Sequence, residues 1–328
     1  MRILKENYEG LPEVDSLSKD LKDILLKPDI QELFKKNEFG TLYKKLPLDL
    51  VNDFTQLMTS LDIDPLNYLE YIPKSFLAFT SIEHLDIPKH ITRISDYAFR
   101  NCYELTDIII PNQVKRIGNW AFSNCQKLTS IAIPNSVTTI GNYAFYNCSG
   151  LTGVTIGNKV KSIRDYAFYR CSSLKSITIP DSVTSIGDYA FYHCSGLTSI
   201  TIPDHITSIG RSAFNDCSSL KSISIPDSVT SIGEAAFCDC TGLTSVTIPD
   251  HVKSIGIATF AGSDNLMSVT IGNGVTSIDL HVFYGCTSLN YISYKGTKEQ
   301  WSKIALMDRW NKNSAIKTIH CTDGDINL

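Results

Sequence analysis

Ten cysteines and seven histidines are among the side chains of this 328-residue chain that could ligate a metal or attack a substrate. Eight of the cysteines stand singly in one frame of 23 residues: Cys102, Cys125, Cys148, Cys171, Cys194, Cys217, Cys240 and Cys286, with Ser263 filling the one gap. Structural zinc needs ligands gathered in close pairs. A thiol that recurs with the apolar pattern instead behaves as a small buried apolar residue. Cys238-Asp239-Cys240 is the one close pair; its second member belongs to the ladder, and C-x-C alone is not zinc spacing. His90, His205 and His251 share a repeat position, but Ser228 separates the last two. Two strand spacings would hold those two about 10 Å apart, too far for one metal, so they read as solvated turn histidines. The sequence has no Gly-rich phosphate loop, no Gly-x-Ser-x-Gly elbow and no His-Glu-x-x-His pair. It predicts no catalytic residues, no metal and no cofactor.

Three further rows could carry recognition. Asp181, Asp204, Asp227 and Asp250 form an acidic ladder that could attract a basic partner or a cation, but Asn112, Asn135, Asn158 and Asn273 fill the same place. Asp and Asn both suit a turn, and that is the preferred reading. Ser176/Thr178, Ser199/Thr201, Ser222/Ser224 and Ser245/Thr247 make a hydroxyl row, interrupted by Asp107 and Ile109, of the kind that could bind ice or carbohydrate. The more pointed row is aromatic. Tyr97, Trp120, Tyr143, Tyr166 and Tyr189 occupy one position in five successive units, flanked by Tyr146, Tyr169 and Tyr192, and later units carry Ser212, Ala235 and Ala258 there. Tyr and Trp dominate binding hot spots, so these eight residues are the candidate partner-binding site. The alternative is that the rings pack over neighbouring turns as an outer layer of core.

All these rows are positioned by one frame. Leu105, Leu128, Leu151, Leu174, Leu197, Leu220, Leu243, Leu266 and Leu289 lie 23 residues apart, and Phe recurs from Phe99 to Phe283 without a gap. A fixed period of 20–50 residues is the mark of a solenoid. In Leu174 to Ile179, Ile177 and Ile179 alternate with Ser176 and Thr178, which predicts a short strand buried on one face. Pro180 removes a donor and ends it. Val183 and Ile186 predict a second, very short strand. Gly187 is expected to bend the backbone, and Asp188 to cap a helical turn carrying Ala190 and Phe191. Nine units run from Ile82 to Ser288.

Residues 1–80 leave the frame. Helical spacing is read at 16–26, capped by Ser16 or Ser18, at 29–36, at 47–61 and after Pro65, giving a helical N-terminal domain that closes the first repeat. Residues 81–294 form the solenoid and 295–328 a C-terminal cap, in which Trp301, Ile304 and Leu306 cover the last apolar face and Ile316–Ile319 adds an edge strand.

The unit Ala-Phe-x-x-Cys-x-x-Leu-x-x-Ile-x-Ile-Pro, as in Ala190-Phe191 through Pro203, resembles the BspA-like type of leucine-rich repeat. The closing segment, Tyr294 to Trp301 and then Ile316 to Gly324, resembles the ends of such chains from bacteria and their phages. The resemblance implies an α+β solenoid of short parallel strands and a protein-binding scaffold without catalytic residues. Many such proteins are surface adhesins.

Composition narrows the rest. The net charge of −4 sits wholly in residues 1–80, and the remainder is neutral, so no positive stripe suggests nucleic acid. The N-terminal residues lack the apolar run of a signal peptide, and no stretch is apolar enough for a membrane span. The reading is a non-enzymatic cytoplasmic scaffold, bacterial or phage-encoded, that binds another protein such as a host or defence protein. The partner is expected on the aromatic row and the N-terminal helices. Exported adhesion, and carbohydrate or ice binding through the Ser/Thr face, are the alternatives.

Overall fold

The computed structural model describes residues 19–25, 27–35, 39–47, 50–60, 65–78 and 80–328. Helices span Lys19–Leu25, Pro28–Lys35, Phe39–Lys45 and Val51–Ser60, followed by a 3-10 turn at Pro65–Tyr68. The expected caps Ser16 and Ser18 lie outside the described residues, and the helix over Phe39–Lys45 has no counterpart in the sequence reading. Leu42, Tyr43, Phe54, Leu57 and Met58 bury one face of this group. The Tyr43 ring meets Phe54 edge-on at 5.0 Å and Phe76 at 5.6 Å. Among the described residues no helix is long and apolar enough to cross a membrane.

From residue 70 onward the chain winds as a parallel-strand solenoid. Ile72 already pairs with Ile94, and Leu77 N–H donates to the Ala98 carbonyl at 2.9 Å. Each later unit contributes a strand of three or four residues and a strand of two, as in Ser176–Thr178 and Ser185–Ile186. Register partners are 23 residues apart: Ile177 faces Ile200, and Ile186 faces Ile209. In the unit beginning at Leu220 the longer strand shrinks to a single bridge, Thr201–Ser224.

The core is a column between the two strand rows. Phe99 to Phe283 are all fully buried, with successive ring centroids 5.2–5.7 Å apart. The ladder cysteines are buried too, but they are more than small apolar fillers. Cys194 donates its S–H to the Phe168 carbonyl at 3.2 Å, and the same bond joins each later ladder thiol to the Phe of the preceding unit. Ser263 keeps it with a hydroxyl, donating to Phe237 at 3.2 Å. The position therefore selects a small donor, and that explains why serine substitutes there.

Two expectations about the turn are corrected. Residues 188–193 form successive turns rather than a helical turn, because Tyr189 and His193 both have φ of 56°, and a left-handed residue cannot continue a helix. Asp188 does not cap its own turn; its carboxylate accepts the Arg211 N–H of the next unit at 2.7 Å. Gly187 acts through contact, since a Cβ there would lie 2.5 Å from an Asp165 carboxylate oxygen.

At the C-terminus, Thr297 and Gln300 form a capping box for the helix Lys298–Ser302. Trp301 and Ile304 are buried as expected. Leu306 is 39% exposed, because it lies on the edge strand Ala305–Leu306, which pairs with Ser277–Ile278 on one side and has no strand beyond it. Its place is taken by Trp310, which meets Phe283 edge-on at 6.0 Å and ends the column. Thr318–Cys321 pairs on both sides, so the true edge is Gly324–Asn327.

Candidate functional site

The turn between the short strand and the cysteine carries two left-handed residues in every unit. The first is the aromatic position: φ lies between 56° and 60° at Tyr97, Trp120, Tyr143, Tyr166 and Tyr189. The second precedes the cysteine and is filled by Asn101, Asn124, Asn147, Arg170, His193, Asp216 and Asp239, then by Gly262 and Gly285. For a bulky residue such a φ is uncommon. The turn is fixed on both sides by backbone bonds between units, for instance Tyr143 N–H to the Asp165 carbonyl at 3.0 Å and Phe145 N–H to Ala167 at 2.8 Å. Side chains lock it as well. Asn119 N–H donates to Asp96 at 2.8 Å, Asn142 to Asn119 at 2.9 Å and Asp188 to Asp165 at 3.0 Å.

Units stacked in register project these rings one above another. Centroids are 6.4 Å apart for Tyr97–Trp120, 4.0 Å for Trp120–Tyr143, 4.4 Å for Tyr143–Tyr166 and 4.7 Å for Tyr166–Tyr189, all nearly parallel. Tyr146, Tyr169 and Tyr192 make a second stack at 4.8 Å spacing. The two stacks lean on each other at 44–51°, with centroids 5.5–5.9 Å apart. All eight candidate residues thus form one ribbon, and every ring in it is partly exposed.

The ribbon has defined ends. The Arg100 guanidinium lies 5.6 Å from the Tyr97 ring and 5.5 Å from that of Trp120, a cation–π arrangement. At the other end Tyr192 meets His193 at 6.5 Å, and His193 Nδ1 lies 2.5 Å from an Asp216 oxygen. Within the ribbon, burial pushes the Tyr166 hydroxyl up to about 12, helped by the neighbouring Tyr143 and Tyr189. Burial also raises Tyr169, against the lowering effect of Arg170. Because the ring faces cover one another, edges and hydroxyls are what the ribbon offers. That suits a protein surface better than a sugar ring or base, which would need a free face to stack on.

In the turn row, two side chains make contacts between units. Asn135 accepts the Asn158 N–H at 3.0 Å and Asp250 that of Asn273 at 3.2 Å, so at these two places the turn side chain stitches neighbouring units. The outward Ser/Thr row lies on an exposed strand face, interrupted by Ile109, which is 62% exposed. Three features were not read from the sequence: the left-handed turn, the Arg100 cap and a basic cleft at Arg93 and Arg116. The last had a visible signal, since the position of Arg93 holds Arg in only two units.

The pattern of the BspA type leucine rich repeat region matches residues 70–198 and 184–311, in six copies. Among solved structures, the chain is similar to a leucine-rich cell-surface protein of Faecalibacterium prausnitzii A2-165: 26% identity, covering 72% of this chain and 86% of that one, TM-score 0.41. It is similar to a leucine rich repeat protein of T. pallidum, at 26% identity over 64% and 79% of the two chains, TM-score 0.40. A leucine-rich repeat protein of Eubacterium ventriosum is 22% identical, over 78% and 90%, TM-score 0.42. Among curated proteins none matches. The repeat pattern covers most of the chain, which belongs to the BspA-type leucine-rich repeat family.

Proposed function

We propose that this protein is a non-enzymatic scaffold that binds another protein through the aromatic ribbon, with the N-terminal helices that pack on the start of the array contributing to the contact. One observation carries the reading. Eight stacked, partly exposed rings are confined to residues 97–192, although the buried Phe, Cys and Leu set runs on to residue 289 with Ser263 its one substitution. Ser212, Ala235 and Ala258 adopt the same left-handed φ, at 49–54°, so the turn does not require an aromatic. Rings placed where folding does not need them, presenting edges and hydroxyls, are the composition of binding hot spots.

The proposed site of action is the cytoplasm of a bacterium or of a phage-infected cell, where a host or defence protein is the partner. The thiols support this. All ten cysteines are free, and the ladder thiols are held as S–H donors. Free thiols in such number persist in a reducing compartment.

The test is the double variant Trp120→Ser, Tyr143→Ser, with residues that later units tolerate in the same conformation. The partner should be recovered by the parent from its own host, identified, and then titrated against both proteins. The double variant should keep its circular dichroism and bind at least about 30-fold more weakly, the equivalent of about 2 kcal/mol. Equal affinity with an intact fold would move the site off the ribbon.

A further inference from the structure

A second site lies where the N-terminal helices meet the array. A cleft of about 350 Å³ opens there, within the range of small-ligand pockets. Tyr43 and Tyr71 wall it together with Leu46, Val51 and Pro73. Among the described residues its charged groups are Lys74, Arg93 and Arg116 against one carboxylate, Asp96, an excess of positive charge in a chain of net charge −4.

The repeat frame shows that this charge is not demanded by folding. Arg93 and Arg116 are register partners in adjacent parallel strands, and like charges placed directly opposite are destabilising. The same position holds Thr139 in the next unit and Ser in the six after it. Each of the two guanidinium groups has a neighbour in the cleft. Arg93 lies over the Tyr71 ring at 4.2 Å, and an Arg116 nitrogen is 3.8 Å from Asp96. That Asp96 oxygen already accepts the Asn119 N–H, so it is committed to the turn as well.

We infer that this cleft binds a phosphoryl group carried on an aromatic or apolar body. Two adjacent guanidinium forks fit the oxygens of a phosphoryl dianion, and a nearby ammonium adds charge without demanding geometry. The aromatic and aliphatic wall accepts the body that bears it. The chemistry is shared by a free phosphorylated metabolite and by a phosphorylated side chain of a protein. The site stands independently of the ribbon.

The full-length protein should be titrated calorimetrically in low salt with phenyl phosphate, inorganic phosphate, phenol, a mononucleotide and a phosphotyrosine peptide. Phenyl phosphate should bind saturably, more tightly than inorganic phosphate, and raise the melting temperature; phenol should not bind. Affinity should fall with salt and rise with pH from about 5 to 7 as the phosphoryl group takes its second charge. Arg93→Ser and Arg116→Ser, which copy the other units, should each weaken binding at least tenfold. Arg93→Lys, which keeps the charge and loses the fork, should fall between and guards against a serine variant that fails to fold. Tighter binding of the peptide would assign a protein source, and tighter binding of the nucleotide a free metabolite. No saturable binding of any phosphoryl probe at millimolar concentration would overturn the inference. So would binding that all three variants leave unchanged.

Discussion

The units spanning residues 97–192 and those spanning 212–283 share a column and differ at an edge. In both, Phe is fully buried and stacks on its neighbours, and a small donor bonds to a carbonyl of the unit before, that of Phe from Cys125 onward. In both, the turn begins with a left-handed residue. The first group fills that position with Tyr or Trp, the second with Ser212, Ala235, Ala258 and His281. A left-handed backbone costs roughly 1–2 kcal/mol for an L-residue with a side chain, and both groups bear it. Where two regions answer the same conformational demand with different side chains, the difference is free to serve something else. The column carries the fold, and the edge is where selection could write recognition.

The comparison breaks most visibly if the two columns are not equivalent. Phe191→Ala and Phe237→Ala each remove a fully buried ring stacked on both sides, at 5.5 and 5.3 Å and at 5.4 and 5.6 Å. Each should destabilise by about 3–5 kcal/mol in urea titrations. A Phe237 variant costing only a small fraction of the Phe191 one would show that the later units are not the same structure with a different rim. At the edge the expected effect is smaller. Trp120→Ser loses two stacked partners, about 1–3 kcal/mol, whereas Ala235→Ser should change stability by less than about 0.5 kcal/mol. A Trp120 variant as costly as Phe191→Ala would make the ribbon a second core.

Thiol chemistry sharpens the picture of the column. Burial raises the ladder thiols far above their ordinary range, Cys171 and Cys217 among them. The two half-exposed thiols are also raised: Cys238 is pushed up to about 12 by burial and the adjacent Asp239, and Cys321 moves upward by burial and Asp323. The thiolate is the reactive form. Native alkylation should therefore be slow at pH 8, label Cys321 before Cys238, accelerate with pH and leave the ladder unmodified until the protein unfolds. Prompt labelling of Cys171 or Cys194 would contradict the packing.

The smallest expected effect belongs to the ribbon's hydroxyls. Tyr166 has its ionisation raised to about 12 in the fold, against about 10 when unfolded. Its contribution to stability is full below about pH 10 and is lost as pH climbs toward 12, because the unfolded state loses that proton first. Tyr166→Phe should flatten this part of the alkaline denaturation curve relative to the parent. Identical curves would remove Tyr166 from the alkaline transition.

The column was legible because its rule repeats nine times: alternation at Ile177 and Ile179, the Phe period and the Leu period each predict a buried position that the structure confirms. The turn was not, since nothing in Gly187-Asp188-Tyr189 announces φ of 56° at a tyrosine; that conformation is imposed by backbone bonds to the next unit. The thiols were placed correctly but read for size alone, because an S–H bond to a carbonyl 26 residues away depends on how units stack. The eight aromatic positions could be named from the frame. Their gathering into two leaning stacks follows from register, and the Arg100 cap and the Arg93–Arg116 cleft belong to the places where the frame is broken. Leu306 reads as a covering residue from its place after Trp301 and Ile304, but it sits on the last strand of its row, where no further unit packs over it.

The central claim is that the rim of the first five units touches a protein and the rim of the later units does not. It is tested most directly by placing a photoreactive phenylalanine analogue at Tyr166 and, separately, at Ala235, and irradiating each in the native host cell. The account predicts one discrete protein adduct from position 166, lost when Trp120→Ser and Tyr143→Ser are added, and none from position 235. Adducts of equal yield at both positions, or adducts at 235 alone, would contradict it.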